Sequence, residues 1–176
     1  MLIQSLEAYV EKDLDKAQKV IAHDDVIDDL FEEVKQELIE LIRNHADEGE
    51  QAVDLLMVTK YFERIGDHAA DISELTFAMA GQPYIKRPYI ISRMAKETVD
   101  MLIKSLDAYA GKNLSKAWEV IKHDDVVDDL FNKVKAELIA MIHEDVNAGE
   151  QASDLLMAAK YFERIGDHAT NISEWV

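Results

Sequence analysis

Carboxylates spaced four residues apart are the feature of this sequence best suited to chemistry. On a helix, such side chains share one face, with Cβ atoms roughly 6 Å apart, so their like charges repel. A bound hard cation would remove that repulsion and take the carboxylate oxygens as ligands. Asn can still offer a carbonyl oxygen. Two rows of this kind occur 100 residues apart: Glu63, Asp67 and Asp71, then Glu163, Asp167 and Asn171.

A second group of acidic residues precedes each row in the sequence and could add ligands to it. If the two helices of each copy pack antiparallel, this second group lies beside the row. We then expect cations to bind between the two helices, on a face open to solvent. The alternative is a solvated acidic face, partly compensated by Lys60 and Arg64, and the pattern alone leaves this open. The clustered residues are Asp24, Asp25, Asp28 and Asp29, repeated as Asp124, Asp125, Asp128 and Asp129.

Several other conspicuous residues are interpreted as structural. A His at the edge of an apolar seam is more often a hydrogen-bonded packing residue than a ligand. A Gly in the middle of a helix costs about 1 kcal/mol, which favours a close helix approach there. The histidines are His23, His68, His123 and His168; the glycines are Gly66 and Gly166; Trp118, Trp175, Met57 and Met157 are taken as packing residues.

The elements that carry these residues are duplicated. Residues 1–76 align with 101–176 without a gap, and nearly two thirds of the positions are identical. The longest shared block is YFERIGDHA, and others are HDDV-x-DDLF and GEQA-x-DLLM. Repeats of this length predict two similar units packed together.

Each copy has the pattern helix, turn, helix, loop, helix. Short polar residues at Asp13 and Asn113 favour N-caps, and Asp47 and Asn147 predict capping boxes before the third helix. Apolar residues in the third helix repeat every three or four positions and predict an inward seam. The fold class is therefore all-α, with two tandem antiparallel three-helix bundles: residues 1–80, a linker at 81–91 marked by Gly81, Pro83 and Pro88, and residues 92–176.

The first helix of the leading copy is short. Residues 92–100 extend the equivalent helix of the second copy, and the sequence gives Met1 no such extension, as if the chain were trimmed at both ends. We expect apolar surface of the third helix around Phe77 to be left exposed. It would be covered by the loop before residue 92, by a dimer partner, or by residues beyond this sequence.

Composition limits the partners. A formal charge of −17 disfavours nucleic acids and anionic lipid surfaces, which need basic residues. Cysteine is absent, which removes disulfides and thiolate sites. No apolar run approaches the roughly 18 residues of a membrane span, so we expect a cytosolic protein that is not inserted in a membrane.

The blocks YFERIGDHAADISE (61–74) and YFERIGDHATNISEWV (161–176), each after an HDD-x-x-DDLF helix, resemble the two halves of PhoU proteins. The resemblance implies cytoplasmic regulators that repress the phosphate-starvation response, often as homodimers. It implies partnership with the ATPase subunit of the phosphate ABC transporter and with a phosphate-sensing histidine kinase. It also implies E/D-xxx-D metal sites for iron, zinc, manganese or magnesium. These sites map onto Glu63–Asp67, Glu163–Asp167, Asp24–Asp28 and Asp124–Asp128.

Two other functions remain open from the residues alone. An all-helical nucleotide pyrophosphatase would hold Mg²⁺ through Glu-x-x-Glu, which Glu37 and Glu40 offer but Ala140 breaks. A metal-dependent phosphohydrolase could use His23 and Asp24 with His68, provided that they converge in one pocket. A purely structural helical adaptor is the third possibility. We expect no enzymatic activity, because the third-helix row points away from any core pocket.

Overall fold

The computed structural model describes residues 1–81 and 89–176 as two three-helix bundles joined side by side. Bundle one contains α1, α2 and α3, and bundle two contains α4, α5 and α6. The bounds are α1 Leu2–Glu11, α2 Leu14–Asn44, α3 Gly49–Ala78, α4 Tyr89–Ala110, α5 Leu114–Glu144 and α6 Gly149–Glu174. The all-α fold and its duplication are confirmed. The middle of the predicted linker, including Pro83 and Pro88, lies outside the described residues.

Capping was predicted correctly at one turn and wrongly at the other. Asp13 and Asn113 accept hydrogen bonds from the backbone amides of Lys16 and Lys116, at 2.9 and 3.1 Å. The predicted capping boxes are absent, because a 3₁₀ turn runs directly into α3 and α6. Glu48, which stands at the N-cap of α3, makes no side-chain cap bond.

The third-helix seams form the core, and the two bundles meet where α3 packs against α6. Val58, Ile65, Ala69 and Ile72 are buried as predicted, whereas Leu55 and Phe62 of the same predicted seam are exposed and partly exposed. The interpretation of both tryptophans and both methionines as packing residues is wrong. All four side chains are exposed, because they lie on the outer sides of their helices: Trp118, Trp175, Met57 and Met157.

The bundles differ in how much of the seam is covered. α4 extends past the position that matches Met1, so Leu130 is 3% exposed, whereas Leu30 at the same place in bundle one is 51% exposed. Phe77 is exposed as expected, and further apolar surface is open at Leu30, in the middle of α2. Because α1 runs antiparallel to α2, its first residues lie at the middle of α2 and α3, and the missing cover falls beside Leu30 and Phe62.

Membrane insertion finds no support in the helices. Within 1–81 and 89–176, none of them combines the length and the apolar character that crossing a bilayer requires.

Candidate metal centre

Antiparallel packing of α2 against α3 brings carboxylates of both helices together. Asp28, Glu63 and Asp67 each place an oxygen within 4.8 Å of the other two, and we call these three residues the acidic cluster. Exposed acidic groups often gather in this way without a metal, so the evidence for a metal site depends on how far the neighbouring carboxylates are buried. Oxygen ligands around one point are the set that hard cations prefer.

Asp24 lies one turn before Asp28 and is half-buried. Its Oδ1 is buried and has no hydrogen-bond partner. It rests against Gly66, where an added Cβ would lie only 3.1 Å away, so the glycine permits the close approach that the sequence predicts. Desolvation, and then the charge of Asp67, raise the pKa of Asp24 to about 6. A half-buried carboxylate with an unpartnered oxygen, one helical turn from the acidic cluster, is an arrangement that a cation would stabilise.

A lysine supplies positive charge at the edge of the cluster. Lys60 donates a hydrogen bond to Glu63 Oε1 at 2.5 Å, and its amine lies 5.0 Å from the centre of the Phe31 ring. The same arrangement recurs with Lys160 over the Phe131 ring at 5.2 Å. Sequence reasoning identified Lys60 only as a compensating charge. The contact with Phe31 crosses between two helices, so spacing within one helix could not reveal it.

Not all of the predicted row belongs to the cluster. The Asp71 carboxylate accepts a hydrogen bond from His68 Nδ1 at 3.1 Å, and this directs Asp71 towards the contact between the bundles. The row also faces solvent less than predicted: the Glu63 and Glu163 side chains are each only 14% exposed, because the neighbouring helix covers them. The structure therefore groups Asp28 with Glu63 and Asp67, and leaves Asp71 to one side.

Bundle two repeats the arrangement more loosely. The pKa of Asp124 is raised to about 6, first by desolvation and then by Asp167, and its Oδ1 also lacks a hydrogen-bond partner. Burial followed by the charge of Glu163 raises the pKa of both Asp128 and Asp167. Asn171 takes the place of Asp71. Within the described ranges, however, three carboxylate oxygens come within 4.8 Å of one another in bundle one alone.

The histidines of the two third helices stack where the bundles meet. The rings of His68 and His168 lie nearly parallel, with centroids 5.6 Å apart. Tyr161 stacks on His68 at 5.5 Å and Tyr61 on His168 at 5.8 Å, so four rings alternate between α3 and α6. Desolvation, followed by the charges of His68, Arg64 and Arg164, lowers the pKa of His168 to about 4. Both histidines thus pack as predicted, and each directly follows a carboxylate of its row.

Replacing each histidine by phenylalanine separates packing from hydrogen bonding. We expect His168→Phe to keep or raise the free energy of unfolding, because His168 Nδ1 is buried without a partner. His68 also buries an unpartnered nitrogen, Nε2, so the two substitutions differ in the bond to Asp71, and its loss should leave His68→Phe about 1 kcal/mol less stable than His168→Phe. Urea unfolding of both variants at pH 7 measures the difference. Equal effects from the two substitutions would mean that the Asp71 contact contributes nothing.

Comparison with known proteins finds one family domain in each of the two copies. The family model described as "PhoU domain" matches residues 1–76 and again 91–176. A "Phosphate-specific transport system accessory protein PhoU homolog" of Clostridium acetobutylicum is 35% identical over 173 residues, covering 96% of this chain and 79% of the relative. PhoU homolog 2 of Thermotoga maritima is 31% identical, covering 99% of this chain and 75% of the relative.

Solved structures agree with the fold. The crystal structure of PhoU from Pseudomonas aeruginosa superposes with a TM-score of 0.93 at 25% identity, covering 99% of this chain and 85% of that one. The phosphate transport system regulatory protein PhoU from Streptococcus pneumoniae superposes with a TM-score of 0.89 at 20% identity, covering 99% of this chain and 83% of that one.

Proposed function

This chain belongs to the PhoU family, and on that premise we propose that it is a metal-binding accessory protein that regulates phosphate uptake. It acts in the cytoplasm, as a homodimer, on the ATPase subunit of a phosphate ABC transporter and on a phosphate-sensing histidine kinase, and it represses the phosphate-starvation response. The relatives that this chain matches are named accessory proteins of phosphate-specific transport, which supports this role.

The observation that carries the metal-binding part is the acidic cluster near Asp24, whose Oδ1 is buried without a hydrogen-bond partner. Its donors are all oxygens, and His68 is already engaged by Asp71. Oxygen-only donor sets favour Mg²⁺, Mn²⁺ or iron over Zn²⁺, which prefers sulfur and nitrogen ligands. We therefore place manganese, iron and magnesium ahead of zinc at this centre.

A regulatory role suits the geometry better than the hydrolase alternative. A phosphohydrolase site would need His23, Asp24 and His68 to converge on one ion. His23 is exposed, whereas His68 is buried in the ring stack between α3 and α6. The names of the relatives also fit a protein without enzymatic activity.

The test is a pull-down of the purified transporter ATPase by the immobilised chain, with Mn²⁺ or with chelator. We expect metal to increase the ATPase retained, and we expect Glu63→Gln/Asp67→Asn to remove that increase, because a bound cation changes the charge presented beside α2 and α3. Asp25→Asn/Asp29→Asn is the matched control, since it neutralises two exposed acids of α2 outside the cluster. Retention that ignores both metal and the cluster variant would refute a metal-dependent role.

A further inference from the structure

The acidic cluster of bundle one already holds a positive charge that belongs to the chain. Lys60 lies one turn before Glu63 on α3, and its ammonium donates a hydrogen bond to Glu63 Oε1 at 2.5 Å. The same ammonium is in ion-pair contact with Glu63 Oε2, outside hydrogen-bond geometry. Both oxygens of this carboxylate are therefore in contact with one lysine, and a cation that took either oxygen as a ligand would have to share the carboxylate or displace the ammonium.

A second helix helps to fix the position of Lys60. Its ammonium lies 5.0 Å from the centre of the Phe31 ring of α2, which is within the range of a cation–π contact. The side chain of Glu63 is 14% exposed and that of Lys60 is 38% exposed, so the carboxylate is shielded while the amine still reaches water. Lys60 is thus ordered by a carboxylate on α3 and a ring on α2, and it can still move out into solvent.

Bundle two contains the same arrangement. Lys160 donates hydrogen bonds to Glu163 Oε1 and Oε2 at 2.6 and 2.5 Å, and its ammonium lies 5.2 Å from the centre of the Phe131 ring. Burial raises the pKa of Asp167, and the charge of Lys160 opposes that rise. The charge of the lysine therefore acts on more of the acidic group than the one glutamate with which it pairs.

We propose that Lys60 is the resident counter-ion of the acidic cluster: its ammonium holds Glu63 in the metal-free protein and competes with a divalent cation for that carboxylate. This inference rests on the proposed metal centre, for which the unpartnered Oδ1 of Asp24 was the supporting observation. A divalent ion among the oxygens of the cluster would lie near the ammonium, and like charges at short distance repel. Entry of the ion therefore requires release of Lys60, so this positioning residue lowers the metal affinity of the centre.

Removing the charge of Lys60 while keeping its length measures the competition. Lys60→Met should bind Mn²⁺ about tenfold more tightly than the parent chain in isothermal titration calorimetry. Lys60→Arg keeps the charge and should bind Mn²⁺ no more tightly than the parent. Lys35→Met is the matched control and should keep the parent affinity, since Lys35 forms a similar ion pair with Glu32, three residues away, between exposed side chains of α2. All chains carry Glu163→Gln/Asp167→Asn, which removes the proposed centre of bundle two.

The possible outcomes separate this inference from the proposed metal centre. Equal affinity of the parent and Lys60→Met would overturn the inference and leave the centre intact. Weaker binding by Lys60→Met would also overturn it, because Lys60 would then be needed to position Glu63 for the ion. Mn²⁺ binding by Lys60→Met alone would support the inference and refute metal binding by the parent chain. Absence of binding in every variant would overturn both.

A measurement without metal tests the counter-ion role by itself. With chelator present, Lys60→Met should lower the urea midpoint of unfolding, because it leaves the largely buried Glu63 carboxylate without its partner. In a Glu63→Gln background the same substitution should have a much smaller effect, since the two residues act as a pair. Equal effects in the two backgrounds would show that the pair contributes nothing to the metal-free protein and would overturn this role.

Nitrogen NMR of the lysine ammonium groups follows the release of Lys60 directly. Its signal, assigned by its absence in Lys60→Arg, should be visible in the metal-free protein, because hydrogen bonding slows the exchange of its protons with water. Saturating Mg²⁺ should broaden this signal and leave that of Lys35 unchanged. A Lys60 signal that is absent without metal, or that stays sharp at saturating Mg²⁺, would overturn the proposal.

Discussion

Saturating Mn²⁺ raises the melting temperature of the metal-free protein by about 5–10 °C. A ligand present at 100 times its dissociation constant stabilises the folded state by about 2.7 kcal/mol, and about 2–4 °C correspond to each kcal/mol in a chain of this size. The gain arises because the cation neutralises Asp28, Glu63 and Asp67, which otherwise repel one another. Differential scanning fluorimetry across a metal series, with Mg²⁺, Fe²⁺ and Zn²⁺ beside Mn²⁺, measures the shift.

Paired variants assign the shift to its source. Glu63→Gln/Asp67→Asn should remove most of it, and Asp25→Asn/Asp29→Asn should retain it. The equivalent pair in bundle two, Glu163→Gln/Asp167→Asn, should remove a smaller part, because the carboxylates there are less closely grouped. A full shift in the first variant would show that the cation binds elsewhere. Equal losses of the melting-temperature shift in the two variants would contradict stronger metal binding by bundle one.

The metal-free protein loses stability as the pH rises from about 4 to above 6. Asp24 and Asp124 have pKa values of about 6 in the folded state, mainly through desolvation, against 3.8 for the ordinary carboxyl. The folded state therefore holds protons that the unfolded state has already released, and each unit of rising pH in this interval favours unfolding. After allowance for solvent screening, we expect about 1–2 kcal/mol for the two carboxyls together.

Neutral isosteres isolate this effect. Asp24→Asn/Asp124→Asn should raise the free energy of unfolding at pH 7 and flatten its decline between pH 4 and 6. Urea unfolding at several pH values, with chelator present, provides the measurement. An unchanged pH profile in the variant would mean that these two carboxyls are not desolvated in solution.

The effect of His168 on stability changes with pH in the opposite direction to that of the two carboxyls, over an overlapping pH range. Its pKa falls to about 4 in the folded state, below the ordinary value of 6.5, so its contribution is complete above pH 6.5 and is lost as the pH falls towards 4. His168→Phe should therefore steepen the decline in stability with rising pH, because it removes the opposing contribution. Urea unfolding of His168→Phe at several pH values measures the slope, and a slope equal to that of the parent chain would contradict this assignment.

Much of the fold could be predicted because it depends on local order in the chain. Apolar residues every three or four positions predicted α3 and its seam, and Asp13 and Asn113 predicted the caps. The repeat at an offset of 100 residues predicted the paired bundles. The prediction of capping boxes was wrong because a 3₁₀ turn leads directly into α3. The conformation of that turn depends on several consecutive residues together, not on one capping residue. Fixed spacing on one helix also predicted which acids would share a face.

What the sequence by itself determined is the set of helices, their duplication and the excess of carboxylates on them. Only the tertiary structure decided which carboxylates meet: it joined Asp28 to Glu63 and Asp67, and it turned Asp71 towards His68. It also decided that identical leucines differ, with Leu130 covered by α4 and Leu30 left open. The physical reason is that periodicity fixes the direction of a side chain relative to its own helix axis. Burial and pairing depend on what lies opposite, which is set by residues far away in the chain.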